Sequence, residues 1–265
     1  MRYYSNYEQR PTRGSFFSNS IVNKIILANV VVFLLQVMLR PQFTSLFALT
    51  PRAVIQDFYF WQLLTYMFLH GGFFHLFFNM LITWFFGSTL ETVWGSQKFL
   101  KYYLTCGLGG GIFFMIFNFN GAVVGASGAV FGLYLAYGIL FPNNHVYIYF
   151  LFPVRAKYFV AVIALFQLAH GISGPSGVAY FAHLGGMVAG LFFFSREIAN
   201  TNSWRRVAGL VGNYKQTRRE GYEEQEIAKI DSILDKIASK GYENLSSTEK
   251  RILENYSRKQ KEDSE

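Results

Sequence analysis

The chain has 265 residues, of which 52% are hydrophobic, 19% aromatic and 15% charged, with a formal net charge of +8. Residues 1–196 hold 11 Lys and Arg against 3 Asp and Glu, whereas residues 197–265 hold 13 of each, so the whole excess belongs to the first part. Charged residues are missing from 58–90, 102–154 and 158–195; because about 20 apolar residues cross a bilayer as a helix, runs of this length exclude a soluble enzyme.

Residues 1–20 are polar, include Arg2, Arg10 and Arg13, and are read as a cytoplasmic N-terminal segment. No small-residue cleavage pattern follows the apolar run that starts at Ile21, so no removable signal peptide is expected. Breaks in the apolar pattern predict an all-α polytopic membrane protein with six spans, at about 21–39, 71–91, 98–118, 124–141, 156–171 and 178–195. The membrane domain is therefore placed at 21–196. With the N-terminus in the cytoplasm, 22 of the 24 basic residues fall on the cytoplasmic side and only Arg40 and Arg52 outside. That is the positive-inside bias, and an even number of spans returns the C-terminus to the cytoplasm. Topology thus accounts for the charge, and no nucleic-acid partner is invoked.

The first outer loop, 40–70, is long and carries Phe58, Tyr59, Phe60 and Trp61, which suits a loop resting in the membrane interface. The outer loops near 119–123 and 172–177 are short. Cys106, the one cysteine, lies in an apolar segment and reads as a packing residue.

Residues 197–265 have the pattern of a small cytoplasmic tail. Ile227, Ile230, Ile233, Leu234 and Ile237 recur at helical spacing, Gly241 can end that helix, and Ser246-x-x-Glu249 reads as a capping box. A helical hairpin is predicted at about 223–259. The tail offers no nucleophile, metal-ligand cluster or phosphate loop, and its partner is left unassigned.

Polar residues inside spans cost free energy to insert, so each requires a reason. The second span offers His70, His75 and Asn79, with His75 and Asn79 at i, i+4 on one helix face. The fourth opens with Gly125-Ala-Ser127-Gly128, and the sixth carries His183 followed by Gly186 and Gly190. Spans two, four and six all run from the outer face inward, so His75, Ser127 and His183 share one depth, about 8–10 Å below the helix starts at ~1.5 Å per residue. Small-residue stripes, Gly128/Gly132/Ala136 and Ala182/Gly186/Gly190, allow spans four and six to approach closely beside Ser127 and His183.

A hydroxyl next to a general base suits nucleophilic attack on a carbonyl. The usual third member is a carboxylate, but Glu8 and Glu91 lie on the cytoplasmic side and Asp57 in the outer loop, so a Ser–His pair is the economical reading. Phe131, one turn after Ser127, can hold the imidazole by stacking. Asn79, His75 and the Ser127 backbone N–H at a helix N-terminus can supply donors to an oxyanion.

Each motif also has a plainer reading. Gly-x-Ser-Gly suits helix packing, as does the run Gly107, Gly109–Gly111, and His75 with Asn79 suits an interhelical hydrogen-bond pair. His145 and His170 read as interfacial. A metal site built from His70, His75 and His183 lacks the His-Glu-x-x-His spacing and an acidic partner. A transporter would suit polar groups at Gly-broken helices, without an obvious repeat. Agreement in depth and order favours the Ser–His reading, for which no metal or cofactor is implied.

The chain resembles the rhomboid intramembrane serine proteases over about 21–196. The motifs that carry the resemblance are Trp61, His70-Gly-Gly-Phe-Phe-His75-Leu-Phe-Phe-Asn79-Met80, Phe86-Gly87 with Glu91, Gly125-Ala-Ser127-Gly128, and Ala182-His183-Leu-Gly-Gly186. The resemblance implies a six-helix bundle of the simple bacterial type in the cell (inner) membrane. It implies Ser127 as nucleophile, His183 as base, His75 and Asn79 at the oxyanion positions, and Phe131 packed on the base. Gly186 and Gly190 then match the glycines between spans six and four. The implied substrates are membrane-anchored proteins, cut in or near a transmembrane segment within the lipid bilayer. One departure is Trp61-Gln62 where the family often has Trp-Arg. A catalytically silent scaffold that binds membrane proteins is the alternative.

Overall fold

The computed structural model describes residues 20–39, 42–148, 151–173, 178–199 and 201–262. The expected N-terminal segment before Ser20, with Glu8 in it, as well as Arg40 and positions 174–177 of the expected last outer loop, lie outside the described residues. The chain divides into two compact units, Met1–Ala208 and Gly209–Glu265.

The first unit begins with α1 (Ile21–Met38). Its N-terminal N–H groups, which have no acceptor within the helix, are met by a carboxylate from far along the chain. Glu91 accepts from the Ile21 N–H at 2.8 Å, the Val22 N–H at 3.2 Å and the Ser20 hydroxyl at 2.7 Å. Glu91 is thereby buried.

The segment expected to be an aromatic loop is instead largely helical, with α2 (Gln42–Phe47), α3 (Pro51–Gln56), α4 (Gln62–Thr65) and a 3-10 turn at Tyr66–Phe68. The residue that stiffens it is Gln62, fully buried. Its carbonyl accepts from the Thr50 N–H at 3.0 Å, and its amide donates to the carbonyls of Leu46 at 3.1 Å and Ser45 at 3.5 Å. Trp61 donates to the Leu46 carbonyl at 3.0 Å and stacks on Tyr59. Phe58, Phe60 and Trp61 keep exposed faces.

The second apolar run is a continuous helical stretch made of α5 (Phe73–Ile82), a π-type turn at Thr83–Gly87 and α6 (Ser88–Trp94). At the turn, a Cβ on Gly87 would stand 3.1 Å from the Phe99 ring and 3.2 Å from Val22, so the backbone packs directly on its neighbours. Gly95, at φ +78°, ends α6, and α7 (Ser96–Phe117) follows. Then come α8 (Ser127–Leu140), α9 (Ala156–Ser173) and α10 (Val178–Ala199). Among the described residues, three stretches are long and apolar enough to cross a membrane, Ile21–Met38, Phe73–Trp94 and Ser96–Phe117; Ser127–Leu140 and Ala156–Gly171 are shorter apolar helices.

An all-α reading requires one correction. Between α8 and α9 lies an antiparallel ribbon, β1 (His145–Ile148) and β2 (Phe152–Arg155), registered His145 opposite Arg155 and Ile148 opposite Phe152. Val146, Tyr147, Ile148, Phe152 and Val154 are β-formers, and Pro142-Asn143-Asn144 stops α8, which is the physical reason for the ribbon.

The core of this unit is built where α7, α8 and α10 meet, around fully buried Phe99, Tyr102, Tyr103, Phe114 and Leu133. The Tyr102 hydroxyl donates to the Gly132 carbonyl and the Tyr66 hydroxyl to the Gly107 carbonyl, both at 2.6 Å, satisfying phenols inside an apolar interior.

Beyond α10, α11 (Thr201–Lys240) is a single helix that starts well before the expected position 223, because i, i+4 partners such as Arg219 and Glu223 support its polar stretch. The division between units falls after Ala208. Gly241, at φ +80°, ends α11, and α12 (Ser247–Glu262) begins at a reciprocal cap. There the Glu249 carboxylate accepts from the Ser246 N–H at 2.7 Å, while the Ser246 hydroxyl accepts from the Glu249 N–H at 3.3 Å. Of the expected apolar stripe, Ile230 and Ile233 are buried, whereas Ile227 and Leu234 are about half exposed, at 50% and 49%.

Candidate functional site

The site is built on the short segment that leads into α8. Leu49 and Val123 pair as an isolated antiparallel bridge, and the Gly125 N–H donates to the Tyr66 carbonyl at 2.8 Å. These bonds tie the segment to the helical first loop. Gly125 has φ +125°, in the region that favours glycine. A Cβ there would lie 2.8 Å from His75 Cε1 and 2.9 Å from His75 Nε2, so a side chain is excluded by space as well. The same point is 3.7 Å from Ser127 Oγ, which makes the His75 ring and the Ser127 hydroxyl near neighbours.

Ser127 is the first residue of α8. Gly128 beside it touches Gly110 of α7. Seven residues at ~1.5 Å each separate Gly110 from the end of α7 at Phe117, so Ser127 is recessed about 10 Å below that end. On the other side, a Cβ on Gly186 would fall 1.9 Å from the Gly128 carbonyl oxygen and one on Gly110 2.8 Å from the Ala182 oxygen. Three helices thus meet backbone to backbone. Gly190 departs from the expected pairing with α8 alone, since its nearest neighbour is the Tyr102 hydroxyl of α7, 2.5 Å from a built Cβ, with Leu135 of α8 at 3.2 Å.

This packing sets His183 of α10 against Ser127, with Nε2 and Oγ 2.9 Å apart. The Phe131 ring lies parallel to the imidazole, at a centroid distance of 4.1 Å and an interplanar angle of 6°. On the far edge of the ring, Nδ1 is 3.0 Å from Oε1 of Gln167, a buried residue of α9. Gln167 is not among the residues singled out from the sequence, although it is the lone amide in the charge-free stretch Tyr158–Ala169, where a buried polar group requires a partner.

His75 accepts the Gly71 N–H at Nδ1, at 3.2 Å. The proton of the neutral ring is then on Nε2, the atom that faces Gly125. Asn79 is buried, and its amide donates to the His75 carbonyl one turn back at 2.7 Å. His70 is buried edge-on to the His75 ring and lies in the wall of a cavity of about 360 Å³ with Gln36 and Thr44. Among the described residues, no group of three or more His, Cys, Asp or Glu side chains is arranged to hold a metal ion.

Ser127, His183 and Phe131 therefore come together directly, with Gly125 and Gly186 allowing the approach and His75 alongside. Asn79 stands on the His75 side of the site. Chemically, the arrangement pairs a hydroxyl with an imidazole whose two nitrogens are both engaged, at the N-terminus of α8.

Comparison with known proteins gives a match to the Rhomboid domain family over residues 57–196, more than half of the chain. Residues 214–259 match a family of unknown function, DUF6576. Rhomboid protein 1, mitochondrial, of Saccharomyces cerevisiae is 33% identical over 48% of this chain and 38% of its own length. Rhomboid protease GluP of Bacillus subtilis is 31% identical over 70% of this chain and 37% of its own length. RHOMBOID-like protein 2 of Arabidopsis thaliana is 34% identical over 54% of this chain and 44% of its own length. The chain thus spans less than half the length of these relatives.

Proposed function

Because this chain is a membrane protein that belongs to the rhomboid family, we propose that it is an intramembrane serine endopeptidase acting on membrane-anchored proteins in or near their transmembrane segments. The observation that carries this reading is the 2.9 Å contact between Ser127 Oγ and His183 Nε2. A hydroxyl within hydrogen-bond reach of a ring nitrogen is the arrangement of an activated nucleophile.

In the proposed reaction Ser127 Oγ attacks a peptide carbonyl carbon as its proton passes to His183 Nε2. The negative oxygen meets N–H donors at the start of α8, the His75 Nε2–H and the Asn79 amide. The tetrahedral adduct collapses, His183 gives its proton to the leaving amine, and the acyl group stays on Ser127 as an ester. Water then loses a proton to His183 while attacking the ester, and the second collapse returns that proton to Ser127 and releases the carboxylic acid. Phe131 keeps the imidazole plane facing Oγ throughout.

The same reading places six spans between about 21 and 196 in the inner membrane, with both chain ends cytoplasmic and the recess opening to the other side. The basic residues on the expected cytoplasmic segments support that orientation. Residues 197–265 are assigned to a cytoplasmic tail.

The test is cleavage of a membrane-anchored reporter by the full chain in proteoliposomes. Wild type releases the product, and Ser127→Ala and His183→Ala each abolish release while remaining folded. Activity retained by either variant refutes the assignment.

A further inference from the structure

We propose that Gln167 is the third member of the Ser127–His183 arrangement, a positioning residue that fixes the orientation and tautomer of the His183 ring. This inference rests on the protease reading above. Stacking on Phe131 restrains the tilt of the imidazole, but a face contact is indifferent to a half-turn of the ring about its bond to Cβ. That half-turn would exchange Nε2 for Cε1 and leave Ser127 facing a carbon. The stack is equally indifferent to which nitrogen carries the proton.

The Gln167 carbonyl oxygen resolves both. It lies 3.0 Å from Nδ1 and has no proton to give, so it accepts from Nδ1–H. The neutral ring then has its lone pair on Nε2, facing Ser127 Oγ at 2.9 Å. A half-turned ring, or the other tautomer, would leave a buried amide oxygen without that donor, which is costly in an apolar interior. The groups around the ring come from four helices: Ser127 and Phe131 from α8, Gln167 from α9, Tyr180, edge-on at 6.4 Å, from α10 itself, and His75 of α5 alongside.

A neutral amide also suits the setting. The role usually taken by a carboxylate is to orient the histidine and to stabilise its cation. A carboxylate among apolar helices is expensive to insert, and Glu91 is committed to the start of α1. An amide oxygen supplies the orienting bond without a permanent charge, at the cost of weaker support for the imidazolium.

The experiment uses the full chain in proteoliposomes with a transmembrane reporter, together with ¹⁵N NMR of histidine-labelled protein in micelles. Gln167→Met keeps the side-chain length and removes the acceptor, while Gln167→Glu keeps an acceptor oxygen. Gln167→Met is expected to lower kcat about tenfold, the scale of one hydrogen bond lost in the reacting state, with KM within about twofold. Gln167→Glu is expected to retain kcat within about threefold of wild type. Neutral His183 is expected to carry its proton on Nδ1 in wild type and to become a mixture of tautomers in Gln167→Met.

The proposal is overturned if Gln167→Met keeps full kcat, if Gln167→Glu is as slow as Gln167→Met, or if wild-type His183 carries its neutral proton on Nε2. The last readout needs no variant to fold. Should wild type neither cleave nor react at Ser127, the protease reading fails while the tautomer still decides the Gln167 contact. Should wild type cleave with Gln167→Met unimpaired, the reverse holds.

Discussion

A Cβ added to Gly186 would lie 1.9 Å from the carbonyl oxygen of Gly128, so α10 and α8 touch backbone to backbone, three residues from His183 and one from Ser127. The distance between hydroxyl and imidazole is therefore set by the missing side chain of a residue that takes no part in the chemistry.

Gly186→Ala forces backbone against backbone, with no flexible side-chain end to move aside. We expect it to destabilise the protein by about 1–3 kcal/mol, as overpacking does, and to remove activity even in the folded fraction because Oγ and Nε2 separate. Gly221→Ala is the contrasting change. Open space surrounds Gly221 on α11, so alanine there should add about 0.5–1 kcal/mol of helix stability and leave cleavage at the wild-type rate. Thermal unfolding and the reporter assay, run on both variants, check the pair.

Gln62 occupies the position that follows Trp61, and its amide connects α2, the start of α3 and α4. Gln62→Leu leaves the Thr50 N–H without its acceptor, while the Leu46 carbonyl keeps the Trp61 indole as a donor. A loss of about 1–3 kcal/mol is expected from such an unsatisfied group, concentrated in residues 42–65. Hydrogen exchange should show faster exchange at Thr50 and Leu49, the latter through the Leu49–Val123 bridge. Protection unchanged from wild type at both amides would contradict this role.

In the second unit, the Lys236 ammonium and the Ser246 N–H and hydroxyl hold the Glu249 carboxyl well below its ordinary 4.5, at about 2. A depressed carboxylate pKa stabilises the fold above the unfolded value, and that contribution is lost as pH falls from about 4.5 through 2. Because the Lys236–Glu249 pair remains partly open to solvent, the contribution is screened. Carbon-13 titration of Glu249 in the full chain should find a midpoint near 2, and Lys236→Met should raise it toward the ordinary range. A midpoint already near 4.5 in wild type would show that the pair does not form.

Much of this architecture is legible in the sequence, and the reasons are physical. The charge-free runs mark apolar helices and Gly241 marks a helix end, because glycine and charge act locally. Ser246 and Glu249 are three residues apart and announce their own cap. Ser127 and His183 are readable because each polar group inside an apolar run requires a reason, and Phe131 because it falls one helical turn after Ser127. What escapes the sequence depends on distant partners. Glu91 caps a helix 70 residues earlier, and neither segment alone shows it. Gln167 becomes meaningful only once α9 is placed against α10. The ribbon at 145–155 is a competition between β-formers and a helical surrounding, and the helical loop at 42–65 is stabilised by Gln62, whose bonds are all to backbone.

The most direct test of the Ser127–His183 assignment is labelling of the full chain with a serine-directed fluorophosphonate, followed by mapping of the labelled residue by mass spectrometry. The predicted result is a single adduct on Ser127 that is absent from His183→Ala, since the hydroxyl reacts only with the imidazole beside it. An adduct on another serine, or equal labelling of Ser127 in His183→Ala, would contradict the account.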